Sequence, residues 1–221
     1  MYYNPSKKRL QKPSTHAFTL IELLAVVSVI VILTGITFGI SKGVMNQQAR
    51  AKAKAELAMI AQALEEFKLT YGDYPVVAED DPVKSNANAR KLTLALTGYA
   101  YLKPGDASGT REMVNVNDNQ VRDSFVDVDK LNFSEPFRDP ANPLNVPNSA
   151  GDLDSIYLVD PWRQPYVYVY NTGSSTNSWD NVGYVLFSKG PDRDADLGSI
   201  ITTGIVDPTT SKNLDNIYPN Q

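Results

Sequence analysis

The sequence predicts an α+β fold in which one long N-terminal helix lies against a C-terminal antiparallel sheet. Three observations carry that prediction. Residues 17–40 form an apolar-rich run whose only charged side chain is Glu22. Beyond it, Leu57, Ile60, Ala61, Leu64, Phe67 and Tyr71 recur at i, i+3, i+4, i+7, i+10 and i+14, the spacing of one helical face. From residue 155 onward the pattern changes to short runs. The clearest is Tyr166-Val167-Tyr168-Val169-Tyr170, whose side chains must alternate between two faces of a strand.

The first sixteen residues carry Lys7, Lys8, Arg9, Lys12 and His16 and no acid. The apolar run behind them holds about 24 residues, about 36 Å of helix, against a bilayer core of about 30 Å. A removable secretory signal has an apolar core of only about 7–15 residues, followed by a small-x-small cleavage site. This run is longer and no such site follows it, so it is expected to stay with the mature chain. The basic flank places the N-terminus in the cytoplasm and the C-terminal part outside. Residues 18–71 are expected to form one helix of about 80 Å, with residues 18–40 in the membrane or a filament core. Lys52, Lys54, Glu56, Gln62, Glu65, Glu66 and Lys68 fall on its remaining faces, and Gly72 and Pro75 end it. Gly35, Gly39 and Gly43 recur every four residues. They suit close helix packing, or a point where the helix unwinds.

The remaining elements follow in order. Residues 91–102 read as a short helix, Lys103-Pro104-Gly105 as a turn, residues 121–128 as a strand, and the proline-rich stretch 133–151 as a loop. Strands are expected at 156–159, 166–170, 182–188 and 200–206, with Asp160 to Pro165 as a turn between the first two. Connections this short favour antiparallel neighbours. Asp80, Asp81, Asp123, Asp127, Asp129, Asp152 and Asp154 read as solvated loop charges, and the chain from Val206 as a polar tail.

Composition removes whole classes of chemistry. There is no cysteine, and His16 is the only histidine. Thiolate chemistry therefore has no residue to use, and if residues 1–17 were removed, imidazole metal ligation, Cys-His and Ser-His-Asp catalysis would have none either. Hydrolysis by a carboxylate pair survives this cut, as the mechanism of a membrane-anchored enzyme. Removal of residues 1–17 would also take four of the 21 Lys/Arg, leaving 17 against 25 acidic residues. A surface that acidic repels nucleic acid and suits cations.

The junction Ala17-Phe18-Thr19-Leu20-Ile21-Glu22-Leu23, behind a basic leader, resembles the type III signal of type IV pilins and of the pseudopilins of type II secretion. Ala17 stands where that family places glycine. The resemblance implies residues 1–17 as a leader removed by a prepilin peptidase, and N-methylation of the new terminus at Phe18. It also implies a type IV pilin-like fold, with residues 72–221 as the globular domain outside the inner membrane. Glu22 lies four residues after Phe18, and a carboxylate inside a membrane-length run is costly. The family resemblance implies that Glu22 pairs with the Phe18 amine of a neighbouring subunit, which would offset the cost of burying each charge alone.

Two further segments carry the resemblance. Asp160-Pro161-Trp162-Arg163-Gln164-Pro165-Tyr166-Val167-Tyr168 is similar to the Asp-Pro-Trp-Gly-x-Pro-Tyr-x-Tyr turn of major pseudopilins, with Arg163 in place of glycine. Read without the family, it is a proline-fixed corner with Trp162 as a core anchor. In Ser188-Lys189-Gly190-Pro191-Asp192-Arg193-Asp194-Ala195-Asp196, three carboxylates stand at alternate positions, a spacing suited to a hard cation. Thr203 stands where an EF-hand needs its last acid. The resemblance implies Ca2+ held by a loop at this place, with Asp192, Asp194 and Asp196 as ligands; a solvated acidic turn is the plain alternative.

The expected function is that of a structural subunit, not an enzyme: a homopolymer built through its N-terminal helix into the pseudopilus of type II secretion. Its expected partners are copies of itself, the prepilin peptidase, minor pseudopilins, the inner-membrane secretion platform and the membrane. A type IV pilin for adhesion, motility or DNA uptake is the rival. Many such pilins close their C-terminal loop with a disulfide, which this chain cannot form.

Overall fold

The computed structural model describes residues 18–77, 85–104, 111–116, 120–135, 147, 150–153, 155–171, 179 and 183–219. The chain divides into two compact units, Met1–Met45 and Asn46–Gln221. Helix α1, Leu20–Tyr71, is 52 residues long and belongs to both. The overall class is α+β, a mixture of helices and small antiparallel sheets.

In the first unit, every Leu, Ile and Val from Leu20 to Ile36 is at least 50% exposed. The hydroxyls within this stretch bond back into the helix: Ser28 Oγ donates to the Ala25 carbonyl at 2.8 Å and Thr34 Oγ1 to that of Ile30 at 2.9 Å. A side chain added at Gly35 or Gly43 would meet no described neighbour within 4 Å. Among the described residues no helix is long and apolar enough to cross a membrane. The apolar stretch with described side chains stops at Ile36, because the side chains of residues 37–42 lie outside the description.

In the second unit the helical stripe is the floor of the core. Ala53, Leu57, Ile60, Ala63, Leu64 and Phe67 are buried. Burying each of the larger ones contributes about 1.5–3 kcal/mol. Helix α2, Ser85–Leu96, packs against one strand of each of the two sheets, residues 100–103 and 167–171. It ends earlier than the pattern at 91–102 predicts, because Gly98 takes a left-handed conformation (φ +85°). There Tyr99 N–H reaches the Leu94 carbonyl at 2.8 Å and Gly98 N–H that of Ala95, a Schellman end. A side chain at Gly98 would lie 2.2 Å from the Arg122 carbonyl. The chain then turns into β1, Ala100–Lys103, paired antiparallel with β2, Glu112–Asn115, a strand the sequence reading missed.

The strand expected at 121–128 is absent. Arg122 and Phe125 donate instead to the carbonyls of Gly98 and Leu96, so the segment seals the end of α2 rather than joining a sheet. Much of 133–151 lies outside the described residues, as do Asp80, Asp81 and Asp154. Asp123, Asp127 and Asp129 are exposed, as expected for loop charges.

The tyrosine–valine strand is β3, Val167–Asn171, antiparallel to β4, Gly183–Phe187, with Val167 opposite Phe187 and Tyr170 opposite Tyr184. Its two faces are both covered. Tyr168 and Tyr170 join the core built on α1, whereas Val167 packs with Phe187 and Ile200. Residues 156–159 supply only isolated bridges, Leu158 to Phe133 and Val159 to Pro165.

Ile200 belongs to helix α3, Leu197–Thr203, not to a strand at 200–206. The β-branched run favours a strand, but Asp196 caps the helix at its start and Gly204, at φ +68°, ends it. The segment after Val206 is not a solvated tail either. Asn213, Asn216 and Ile217 are buried, and Ile217 pairs with Ser188.

Candidate functional site

At the helix start, Ala17 lies outside the described residues and Phe18 is exposed. Thr19 precedes the first helical residue. Its backbone N–H and its hydroxyl both donate to Glu22 Oε2 at 2.9 Å, and Glu22 N–H donates back to Thr19 Oγ1 at 3.3 Å. This is a reciprocal capping box, and the spacing Thr-x-x-Glu that announces it stands in the sequence. Sequence reasoning treated Glu22 as an anion in need of a second subunit. The structure gives it donors within its own turn, where the helix dipole also favours a carboxylate.

The second site begins at the proline turn. Asp160 is buried, and its carboxylate organises the whole corner. Oδ1 accepts from Trp162 N–H at 3.0 Å and Gln164 N–H at 2.8 Å, and Oδ2 accepts from Ser188 Oγ at 2.6 Å. Burial raises the Asp160 carboxyl above its ordinary pKa, with the Ser188 and backbone bonds opposing that rise. Trp162 is half-buried against the core. Arg163, where the family resemblance has glycine, sits at φ +67°, a conformation that favours glycine.

Ser188 Oγ also accepts from Gly190 N–H at 3.1 Å, so the corner sets the start of the aspartate loop. Within that loop the three predicted ligands take separate tasks. Asp192 Oδ1 accepts from Asp194 N–H at 2.9 Å. Asp194 Oδ2 lies 3.0 Å from Lys212 Nζ, and this contact holds its carboxyl below the usual range. Asp196 Oδ1 accepts from Gly198 N–H at 3.1 Å as the cap of α3. Calcium needs six to eight oxygens around one point. Among the described residues no group of three or more acidic, histidine or cysteine side chains is placed to hold a metal ion. As they stand, the three carboxylates do not fit the ion. Sequence reasoning missed Lys212, Asn213 and Asp215, which meet this loop from the C-terminal segment. Asp215 faces Asp192, and burial together with that neighbour raises its carboxyl despite the bond from Asp192 N–H.

A third acid was misplaced by the sequence reading. Glu56, assigned to a polar face of α1, is 1% exposed. Tyr166 O–H donates to its Oε2, Asn132 Nδ2 donates to Oε1 at 2.7 Å, and Lys52 Nζ lies 3.6 Å from Oε1. Burial pushes its carboxyl up, and the Tyr166 bond and Lys52 partly offset that. The cluster ties α1 to Tyr166, the residue just before β3, and to the segment at residue 132. No pattern of spacing marks it, because its partners are 76 and 110 residues away.

The carboxylate-pair enzyme asks for two acids facing one cleft. A cleft of about 320 Å³ is lined by α2, β1 and β2, with Arg90, Lys91 and Arg111 around an apolar floor. Among its described lining residues Glu112 is the single acid.

Comparison with protein-family models, with curated proteins and with solved structures finds no match.

Proposed function

We propose that this chain is a filament subunit of the type IV pilin kind, most closely a major pseudopilin of type II secretion. A prepilin peptidase trims it before Phe18, and it polymerises through the first part of α1. The observation that carries this reading is the Thr19–Glu22 capping box at the head of an apolar stretch of helix whose Leu, Ile and Val side chains are each at least half exposed. A solvated helix does not spend every face on Leu, Ile and Val. A lipid bilayer before assembly, and like helices after it, would cover them.

Glu22 then has two successive partners. Before assembly the Thr19 cap satisfies the carboxylate inside its own turn, which lowers the cost of holding it in the membrane. After cleavage, the Phe18 amine of a neighbouring subunit replaces one of those donors and fixes the axial register. The self-satisfied hydroxyls of Ser28 and Thr34 suit the same apolar setting, since neither asks lipid for a hydrogen bond.

The test is assembly in cells that carry a prepilin peptidase and a secretion platform. The native chain is expected to form filaments. Glu22→Val is expected to insert in the membrane, lose the leader and fail to assemble. Normal filaments from Glu22→Val, or assembly that needs no peptidase, contradict the reading. A subunit that builds filaments while the secretion channel is deleted, and that supports adhesion or motility, would move the protein to the type IV pilins.

A further inference from the structure

We propose that the Asp192–Asp196 loop is closed by an internal cation, the Lys212 ammonium, which the C-terminal segment delivers to the place where a loop of this kind would hold a divalent metal. The segment is fastened to the loop at several points. Ser188 and Ile217 exchange both backbone hydrogen bonds at 3.0 Å. Asp215 Oδ2 accepts from Asp192 N–H at 3.1 Å, and the buried Asn213 accepts from Asp196 N–H through Oδ1 at 2.9 Å. Asn213 Nδ2 in turn donates to the Asp207 carbonyl at 2.8 Å, which fixes its amide. Gly190, at φ +73°, lets the two chains cross: a side chain there would lie 2.4 Å from the Asp215 carbonyl.

These ties set Lys212, one residue before Asn213, against Asp194. Asp192 and Asp215 face one another as like charges at this loop, and Lys212 brings a positive charge to Asp194 beside them. An ammonium supplies one charge and three donors but accepts nothing. It therefore excludes a metal by repulsion, while giving Asp194 the partner a metal would have been. The other acids of the loop keep their donors: the backbone N–H groups of Asp194 and Gly198. The inference stands apart from the filament reading, since it concerns only how the loop is closed.

The full-length chain in detergent tests it through terbium luminescence, with terbium as a calcium probe sensitised by nearby aromatic side chains, and through thermal unfolding in millimolar calcium or chelator. The native protein is expected to show no calcium-dependent shift and weak terbium binding. Lys212→Gln is expected to bind terbium about tenfold more tightly, and to gain about 3 °C in calcium relative to chelator. Lys212→Arg should behave as the native protein. Asp194→Asn, which removes the partner and keeps the lysine, should stay insensitive to calcium. A calcium-dependent rise in the native protein overturns the proposal. So does a Lys212→Gln protein whose terbium binding equals that of the native chain; this readout stands even where a variant unfolds without a clear transition.

Discussion

From Leu20 to Ile36, α1 leaves each large aliphatic side chain at least half exposed; from Ala53 to Phe67 the same helix buries Leu57, Ile60, Leu64 and Phe67 completely. Each stretch also contains one glutamate with an unusual setting. Glu22 is exposed and satisfied within its own turn by Thr19. Glu56 is buried and satisfied across the fold by Tyr166 and Asn132. The later stretch has found its partners inside the chain. The earlier one leaves its large aliphatic side chains at least half exposed, the surface that the proposed filament would cover. Helix formation alone does not distinguish the two; the cover does.

The largest effect that can break this comparison is the loss of assembly in Glu22→Val. Thermal unfolding of the second unit should not change in that variant, since the hydrogen bonds of Glu22 run to Thr19 within its own turn. A coupled loss of folding would erase the distinction between the two stretches.

Leu64→Ala should destabilise the protein by about 2–5 kcal/mol, the range for a large aliphatic removed from a packed core. Val29→Ala removes two methyl groups from a side chain that is 55% exposed in the single chain. It should leave denaturant unfolding unchanged and act, if at all, on filament yield. Equal losses of stability in both would contradict the assignment of Val29 to an outside partner.

A third effect is read through pH. Folding raises the Glu56 carboxyl above its ordinary value of 4.5, so the native state binds more protons than the unfolded state between those two values. Stability therefore rises as pH falls through that window and is lost as pH rises through the folded value. Buried Asp160 acts with the same sign. Asp194 and Asp207, lowered by Lys212 and by Thr209, act with the opposite sign as pH falls from 3.8. Glu56→Gln should flatten the change in melting temperature between pH 7 and pH 5. Identical slopes in the variant and the native chain would show that Glu56 does not titrate as its burial requires.

The smallest effect is local. Arg163→Gly removes the strain of a left-handed arginine but adds disorder to the unfolded chain. It also loses a bond from the guanidinium to the Ser134 carbonyl at 3.2 Å. The net gain should be about 0.5 kcal/mol, measured by denaturant unfolding. A loss above about 1 kcal/mol would mean that the Ser134 bond outweighs the strain.

How far these features could be read from the chain depended on whether their cause was local. The long helix was legible because its stripe repeats over many turns, and β3 because Tyr and Val alternate without interruption. The corner at Asp160 was legible as a turn, since proline fixes it at both ends. Helix α3 was misread although Asp196 and Gly204 mark its ends, because Ile200, Ile201, Thr202 and Thr203 satisfy a strand rule equally well. The strand expected at 121–128 failed for a different reason. The segment bends at Phe125 and Val126 and enters a short 3-10 helix at Val128, while Arg122 and Phe125 donate to the end of α2, and no property of the segment itself reveals that. Glu56, Lys212 and Asp215 escaped because each gains its meaning from residues distant in sequence. The aspartate spacing, in contrast, was easy to see, but spacing does not say which partner each carboxylate takes: Asp192 and Asp196 accept backbone N–H groups and Asp194 meets Lys212.

The most direct measurement is the intact mass and N-terminal sequence of the subunit recovered from assembled filaments. The account predicts a chain that begins at Phe18, with a methylated α-amine, so that a charged terminus lies within reach of Glu22. Filaments built from subunits that retain Met1 to Ala17 would contradict it, because the terminus proposed to replace the Thr19 cap would never have been exposed.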